Sequence, residues 1–282
     1  MPLVSRGRFE FKQRVPDWIV ALLLGIVEGV TEFLPVSSTG HLLIVERWLH
    51  DPAPMFKTDL FNVVIQGGAV LAVVIIFQER LRQLFFRWRE PATQSYWLKL
   101  IAAFAITAAG GLVLKALKFK LPETIAPVAW ATLIGGVLFI AVEMWLRGRE
   151  AVKDVTWAMA LMMGAAQLVA AVFPGTSRSG ITILIALIMG LARPQAAEFA
   201  FLLGIPTLLA AGAVQALGEI RNPSGVPMDW SLILLAGVAA AITAFIVVKW
   251  LLRFVQTHTF VVFGWYRILL GGALLVFALK WK

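Results

Sequence analysis

The chain is expected to fold as an all-α, polytopic integral membrane bundle with inverted-topology repeats and two re-entrant broken helices. Three observations lead there. Apolar runs near the ~20 residues that a bilayer crossing needs recur along the whole length. Hydrophobic residues make up 60% of the chain and charged residues only 15%, against about 25% charged in soluble domains. Two stretches, Gly25-Ile-Val-Glu-Gly-Val-Thr-Glu-Phe-Leu-Pro-Val-Ser-Ser-Thr-Gly-His41 and Gly164-Ala-Ala-Gln-Leu-Val-Ala-Ala-Val-Phe-Pro-Gly-Thr-Ser-Arg-Ser-Gly180, are distorted copies of each other. An offset of 139 puts Gly25 on Gly164, Glu28 on Gln167, Pro35 on Pro174 and Ser38 on Ser177.

The apolar segments run over 18–34, 60–78, 98–117, 125–146, 155–173, 180–192, 196–218, 230–252 and 260–280. No soluble domain fits between them, so 1–282 reads as one integral membrane domain, with one repeat over about 17–146 and the other over about 154–280. Segment 18–34 is apolar only as far as Glu28, then meets Glu32, Pro35 and the hydroxyls Ser37, Ser38 and Thr39. A lipid-facing span does not tolerate such a break; a helix that enters, breaks and returns does, provided protein covers it. Segment 155–192, broken at Pro174-Gly175, fits the same description. The three crossings between them, 60–78, 98–117 and 125–146, are an odd number. The two copies then enter from opposite faces and meet near the midplane, which is where inverted repeats build their sites.

Charge sets the orientation. Arg80, Arg82, Arg87 and Arg89 in the loop 79–90, and Arg147, Arg149 and Lys153 in the loop 147–153, share a side that the positive-inside rule makes cytoplasmic. Lys115, Lys118 and Lys120 weaken the contrast without reversing it, and Arg6, Arg8, Lys12 and Arg14 at the N-terminus oppose it. That N-terminus has the charge pattern of a signal peptide but no small-residue cleavage site, so it is expected to be retained. The net charge of +9 is read as topogenic, with no nucleic-acid partner. The absence of cysteine excludes disulfides. The 11 Trp fit interfacial belts, and the small-residue runs 207–216 and 235–244 fit close helix packing.

Glu28 and Glu32 lie four apart, on one helix face. Two buried carboxylates this close persist by sharing a proton, binding a cation or facing a strong base. After Pro35, one of Ser37, Ser38 and Thr39 is explained as a helix N-cap; three hydroxyls followed by His41 are not. Ser38 and His41 are three apart and can share a face, which pairs a nucleophile with an acid or base. In the second copy, the start of a helix near Gly180 offers backbone N–H groups to an anion. Arg178 adds a fork suited to phosphate oxygens, and Ser177, Ser179 and Thr182 add hydroxyls. One copy thus brings acid–base chemistry and the other a phosphate cradle, a combination suited to phosphoryl transfer. Gln66 either lines the site or bonds between helices, and Gln167 is similar. Glu198 is expected at the interface, Glu143 in a structural pair with Arg147, and His50 and His258 solvated at span ends.

Glu28-Gly-Val-Thr-Glu-Phe-Leu-Pro-Val-Ser-Ser-Thr-Gly-His41 and Pro174-Gly-Thr-Ser-Arg-Ser-Gly-Ile-Thr182 resemble the two signatures of the bacterial undecaprenyl-pyrophosphate phosphatases, the bacitracin-resistance family. The stretch Phe61-Asn-Val-Val-Ile-Gln-Gly-Gly-Ala-Val-Leu-Ala-Val-Val-Ile-Ile-Phe77 is similar to a third family segment. The resemblance covers essentially the whole chain. It implies an enzyme of the bacterial inner membrane, open to the periplasm. Such an enzyme removes one phosphate from undecaprenyl pyrophosphate, recycles the carrier lipid for peptidoglycan and confers bacitracin resistance. It implies catalytic roles for Glu28, Glu32, Ser38, His41 and Arg178, with Ser177, Ser179 and Thr182 matching its polar helix start; substrate contacts are expected from these three and from Ser37, Thr39, Gln66 and Gly180. It also implies a divalent cation, Mg²⁺ or Ca²⁺; Glu28 and Glu32 are expected to hold it or to tune His41. The mechanism expected is attack by Ser38 with His41 as its proton partner, with attack by His41 itself as the reverse. The rival class is a coupled anion transporter or lipid flippase, which needs the charges but no nucleophile. Small-residue lipid-facing surfaces suit a homodimer.

Overall fold

A computed structural model describes residues 15–49, 52–117, 119 and 124–280. Among these, eleven α-helices follow in order. They are α1 (Asp17–Thr31), α2 (Ser38–Trp48), α3 (Asp59–Ile76), α4 (Gln78–Phe86), α5 (Pro91–Ala116) and α6 (Ile125–Trp145), then α7 (Trp157–Val172), α8 (Arg178–Ile188), α9 (Arg193–Arg221), α10 (Trp230–Phe254) and α11 (Val261–Lys280). Six of them, α3, α5, α6, α9, α10 and α11, are long and apolar enough to cross a membrane, and the chain is a membrane protein. At 1.5 Å per residue, α1 and α7 reach only about 22–24 Å and α2 and α8 about 16 Å. None of the four spans a hydrocarbon core of about 30 Å alone. The N-terminal basic cluster, His50, Lys118 and Lys120 lie outside the described residues.

The two halves of the chain interlace. Helix α1 packs on α10, α7 on α5, α6 on α11, and α3 on both α9 and α10. Small residues permit this closeness. A Cβ on Gly25 would stand 2.2 Å from the Ala236 carbonyl oxygen, and one on Gly164 would stand 2.4 Å from that of Ala103. The main apolar core includes Phe139, Phe199, Phe201 and Phe260 together with Phe33, Leu34 and Val36 of the first break. There Phe33 meets Phe201 edge to face at 5.5 Å.

Two local expectations change. The basic stretch 79–90, read as a loop, contains α4. Its good helix formers fold around the buried Leu84, and Arg80 bonds Glu198 Oε1 at 3.1 Å. Glu198 is thus tied to α4, and it also accepts from the Tyr96 hydroxyl at 3.3 Å. Glu143 is structural, but its partner is not Arg147. It faces the core from the last turns of α6, where it forms a fork with Arg193 and accepts the Phe260 backbone N–H at 2.8 Å. Arg147 follows the helix end and is exposed. His258 is exposed and stacks on Phe254.

Candidate active site

The two breaks share one backbone solution. Helix α1 ends at Thr31, the chain turns through Glu32–Val36, and Ser37 caps α2 with φ +76°. Helix α7 ends at Val172, the chain turns through Phe173–Thr176, and Ser177 caps α8 with φ +67°. These two serines have the only positive φ values among the described non-glycine residues. Each Oγ accepts the backbone N–H three residues on, from Gly40 at 3.3 Å and from Gly180 at 3.2 Å. This is the ordinary way to satisfy a free donor at a helix start.

The caps correct the sequence register. Glu28 and Gln167 keep an offset of 139, but the serine that matches Ser177 is Ser37, not Ser38, so the offset past the break is 140. The second copy holds one more residue between proline and cap. It is accommodated where Gly175 takes φ +94° and lies so close to α6 that a Cβ would stand 2.4 Å from the Val128 carbonyl oxygen. Arg178 therefore matches Ser38. Each is the first residue of the helix that follows its break.

Those two residues meet at one carboxylate. Ser38 Oγ donates to Glu32 Oε2 at 2.6 Å, and Arg178 Nη2 donates to Glu32 Oε1 at 2.8 Å. Both side chains of the ion pair are largely buried. Arg178 also reaches the Gly204 carbonyl at 3.4 Å. Ser38 and His41, expected to act together, are not bonded to each other: each side chain has another partner. His41 Nδ1 lies 2.7 Å from the Ser37 carbonyl oxygen and Nε2 lies 2.6 Å from the Tyr266 hydroxyl.

Glu28 is 1% exposed, and neither carboxylate oxygen has a hydrogen-bond partner among the described residues. It lines a cavity of about 200 Å³ with Ser38, Thr39, Leu42, Leu43, Glu46, Asn62 and Gln66. Gln66 thus lines this cavity. Glu46 and Asn62 escaped the sequence reading, although their spacing points to them: Glu46 is two turns beyond Ser38, and Asn62 is one turn before Gln66. The oxygens around Glu28 are the hard donors that Mg²⁺ or Ca²⁺ takes, whereas Glu32 is committed to Ser38 and Arg178. No three acidic, histidine or cysteine side chains among the described residues converge as a metal cluster. A larger, apolar cavity of about 340 Å³ touches Gly180, Ile181 and Leu184. Helical spacing puts Gly180 and Leu184 on the side of α8 away from Arg178.

The rest of the second copy is spent on holding the break. Ser179 Oγ donates to the Leu34 carbonyl at 3.0 Å, Thr182 Oγ1 to the Arg178 carbonyl at 2.7 Å, and the Gly180 N–H is taken by the cap. Beneath both breaks lies Arg267, fully buried in α11. Its guanidinium donates to the carbonyls of Pro35 in the first break and of Gly175 and Thr176 in the second, and to Ala131 and Thr132 of α6. The sequence reading passed over Arg267 and Tyr266. The signal was there, since an arginine inside an apolar span marks a site by default.

Comparison with known proteins shows the family. The family described as "Bacitracin resistance protein BacA" matches residues 21–273. An undecaprenyl-diphosphatase of Rhizobium etli (strain CIAT 652) is 50% identical over 261 residues, covering 92% of this chain and 96% of the relative. An undecaprenyl-diphosphatase of Xanthomonas axonopodis pv. citri (strain 306) is 49% identical over 262 residues, covering 92% and 97%.

Proposed function

The chain belongs to the family of the bacitracin resistance protein BacA, and from that premise we propose how its reaction is performed. It is an undecaprenyl-diphosphatase, converting undecaprenyl diphosphate and water to undecaprenyl phosphate and phosphate. The observation that carries the mechanism is the relay Ser38–Glu32–Arg178, which joins the two motifs at 2.6 and 2.8 Å.

The incoming diphosphate competes with Glu32 for Arg178. Its oxygens match the guanidinium fork as well as a carboxylate does. Once Arg178 turns to phosphate, Glu32 loses its neutralising partner and becomes the base to which Ser38 is already bonded. Ser38 Oγ attacks the terminal phosphorus and its proton passes to Glu32. The bond to the bridging oxygen breaks, and undecaprenyl phosphate leaves. Water then cleaves the phosphoserine, with His41 as the second proton-transfer group. A divalent cation fits Glu28 with the amide oxygens of Asn62 and Gln66 better than it fits the Glu28–Glu32 pair. When bound, it neutralises charge on phosphoryl oxygens. Glu28, Ser38, Thr39 and Gln66 line the cavity that receives the diphosphate, and Ser37, Ser177, Ser179, Gly180 and Thr182 hold its walls.

The architecture we propose is a single membrane domain of two inverted repeats, about 17–146 and 154–280, in which α1–α2 and α7–α8 are re-entrant. The matching caps and the interlaced pairs α1–α10 and α7–α5 support it. The site then lies near the midplane and opens to the periplasmic side of the inner membrane, where the carrier lipid is released. Trapping tests the chemistry. Brief reaction of purified enzyme with ³²P-labelled polyprenyl diphosphate is expected to label Ser38, and Ser38→Ala to remove the label. Label on His41 would assign the attack to the imidazole, and label on neither would leave direct attack by water.

A further inference from the structure

His41 is held at both ring nitrogens by different parts of the chain. The Ser37 carbonyl can only accept, so Nδ1 carries the proton of that 2.7 Å bond. In the neutral ring Nε2 is then the acceptor, and the Tyr266 hydroxyl donates to it at 2.6 Å. The two rings are parallel within 5°, with centroids 5.6 Å apart. Tyr266 is not free to drift. The next residue in α11 is Arg267, bonded to both breaks and to α6. The hydroxyl is thereby set in register with the same backbone that sets Ser38 and Arg178.

We infer that Tyr266 is a positioning residue for His41, holding the imidazole as the Nδ1–H tautomer with its Nε2 lone pair fixed in direction. This rests on the reading that His41 transfers protons in the phosphatase reaction. The tautomer matters because only an unprotonated Nε2 can take a proton from water on that side of the ring. Without Tyr266 the Ser37 bond alone holds the ring, so both its tautomer and its setting about the Cβ–Cγ bond become looser. Orientation, rather than substrate affinity, is what is lost. Tyr266 is 44% exposed, so its ring has room to move aside when substrate or water reaches Nε2.

The test uses the purified full-length enzyme. Tyr266→Phe keeps the ring and removes only the hydroxyl. Its kcat is expected to fall about 10-fold with KM within about 2-fold. In a His41→Ala background, Tyr266→Phe is expected to cause no further loss, because its effect passes through the imidazole. A readout independent of turnover is the ¹⁵N spectrum of histidine-labelled protein. The chain has three histidines, and subtraction of the His41→Ala spectrum isolates His41. The wild-type pair of signals should be that of a single Nδ1–H tautomer, and Tyr266→Phe should average it toward a mixture. An unchanged His41 spectrum with unchanged kcat overturns the inference, as does an equal fractional loss in the His41→Ala background. Wild-type activity in His41→Ala would instead overturn the role of His41 on which the inference stands.

Discussion

The first break and the second close their chains alike but present different chemistry. Each ends an apolar helix early, turns, and restarts a helix on a serine with positive φ whose hydroxyl caps the third N–H onward. Holding a non-glycine residue in that region costs on the order of 1 kcal/mol or more, and the cap helps to offset it. With the backbone settled in this way, the first residue of the restarted helix is free to differ. It is Ser38 in one break and Arg178 in the other, and both side chains converge on Glu32. Seven residues before the proline of each break, the buried polar residue is Glu28 in the first and Gln167 in the second, and each leaves side-chain oxygen unbonded among the described residues. The lesson is a division of labour. Backbone geometry is duplicated, and the two breaks differ by single side chains at matching positions.

The most severe way to break that comparison is to remove the contribution of the second break. Arg178→Ala deletes the fork expected to bind the diphosphate and leaves Glu32 without its buried partner. Loss of kcat/KM by about 10³-fold is expected, the scale of a phosphoryl-transfer arginine. Arg178→Lys should recover little, since a point charge does not replace a planar fork. Activity of Arg178→Ala within 10-fold of wild type would remove the second break from the chemistry.

A sharper test converts the first break to the composition of the second. Glu28→Gln makes both buried positions glutamine. If Glu28 holds a cation, the concentration of Mg²⁺ or Ca²⁺ that gives half-maximal activity should rise about 10–100-fold, the usual scale for losing a supporting ligand. Stability without metal should hold or improve, because a buried carboxyl group with no hydrogen-bond partner among the described residues is replaced by a neutral amide of the same shape. An unchanged metal response would assign Glu28 to proton storage instead.

Much of this was legible in the sequence, for physical reasons that also mark where legibility stopped. Apolar runs of bilayer length must be helices, so the six long spans were readable. Pro35 and Pro174-Gly175 announce breaks in such runs. Glu28, Glu32, Ser38 and Arg178 stood out because polar groups there are costly. The partners were not readable. Ser38 and His41 share a helix face, yet Ser38 bonds back to Glu32 across the turn and His41 bonds forward to Tyr266, 225 residues away. A contact of that range leaves no local spacing to read. Glu143 teaches the same point, since the nearby Arg147 was the obvious partner and the distant Arg193 is the actual one. The register slip of one residue went unseen because it lies inside the turn. There, only backbone dihedrals distinguish Ser37 from Ser38 as the cap.

The smallest expected effect tests the premise that the caps are architecture and not chemistry. Ser177 Oγ accepts the Gly180 N–H and lies 3.2 Å from Ser179 Oγ. Ser177→Ala removes the acceptor and keeps a Cβ at φ +67°, so a loss of about 1 kcal/mol is expected. It is read as a lower midpoint in thermal unfolding of the detergent-solubilised protein. Ser177→Gly also removes the acceptor but relieves the strained φ, so its net change should be within a few tenths of a kcal/mol. The difference between the two variants isolates strain from capping. Both should keep kcat/KM within about 3-fold, because Arg178 still reaches Glu32 from the same helix turn. If Ser177→Ala lost activity on the scale of Arg178→Ala while its unfolding midpoint stayed unchanged, the hydroxyl would belong to the phosphate site. The two breaks would then differ in backbone function as well as in side chains.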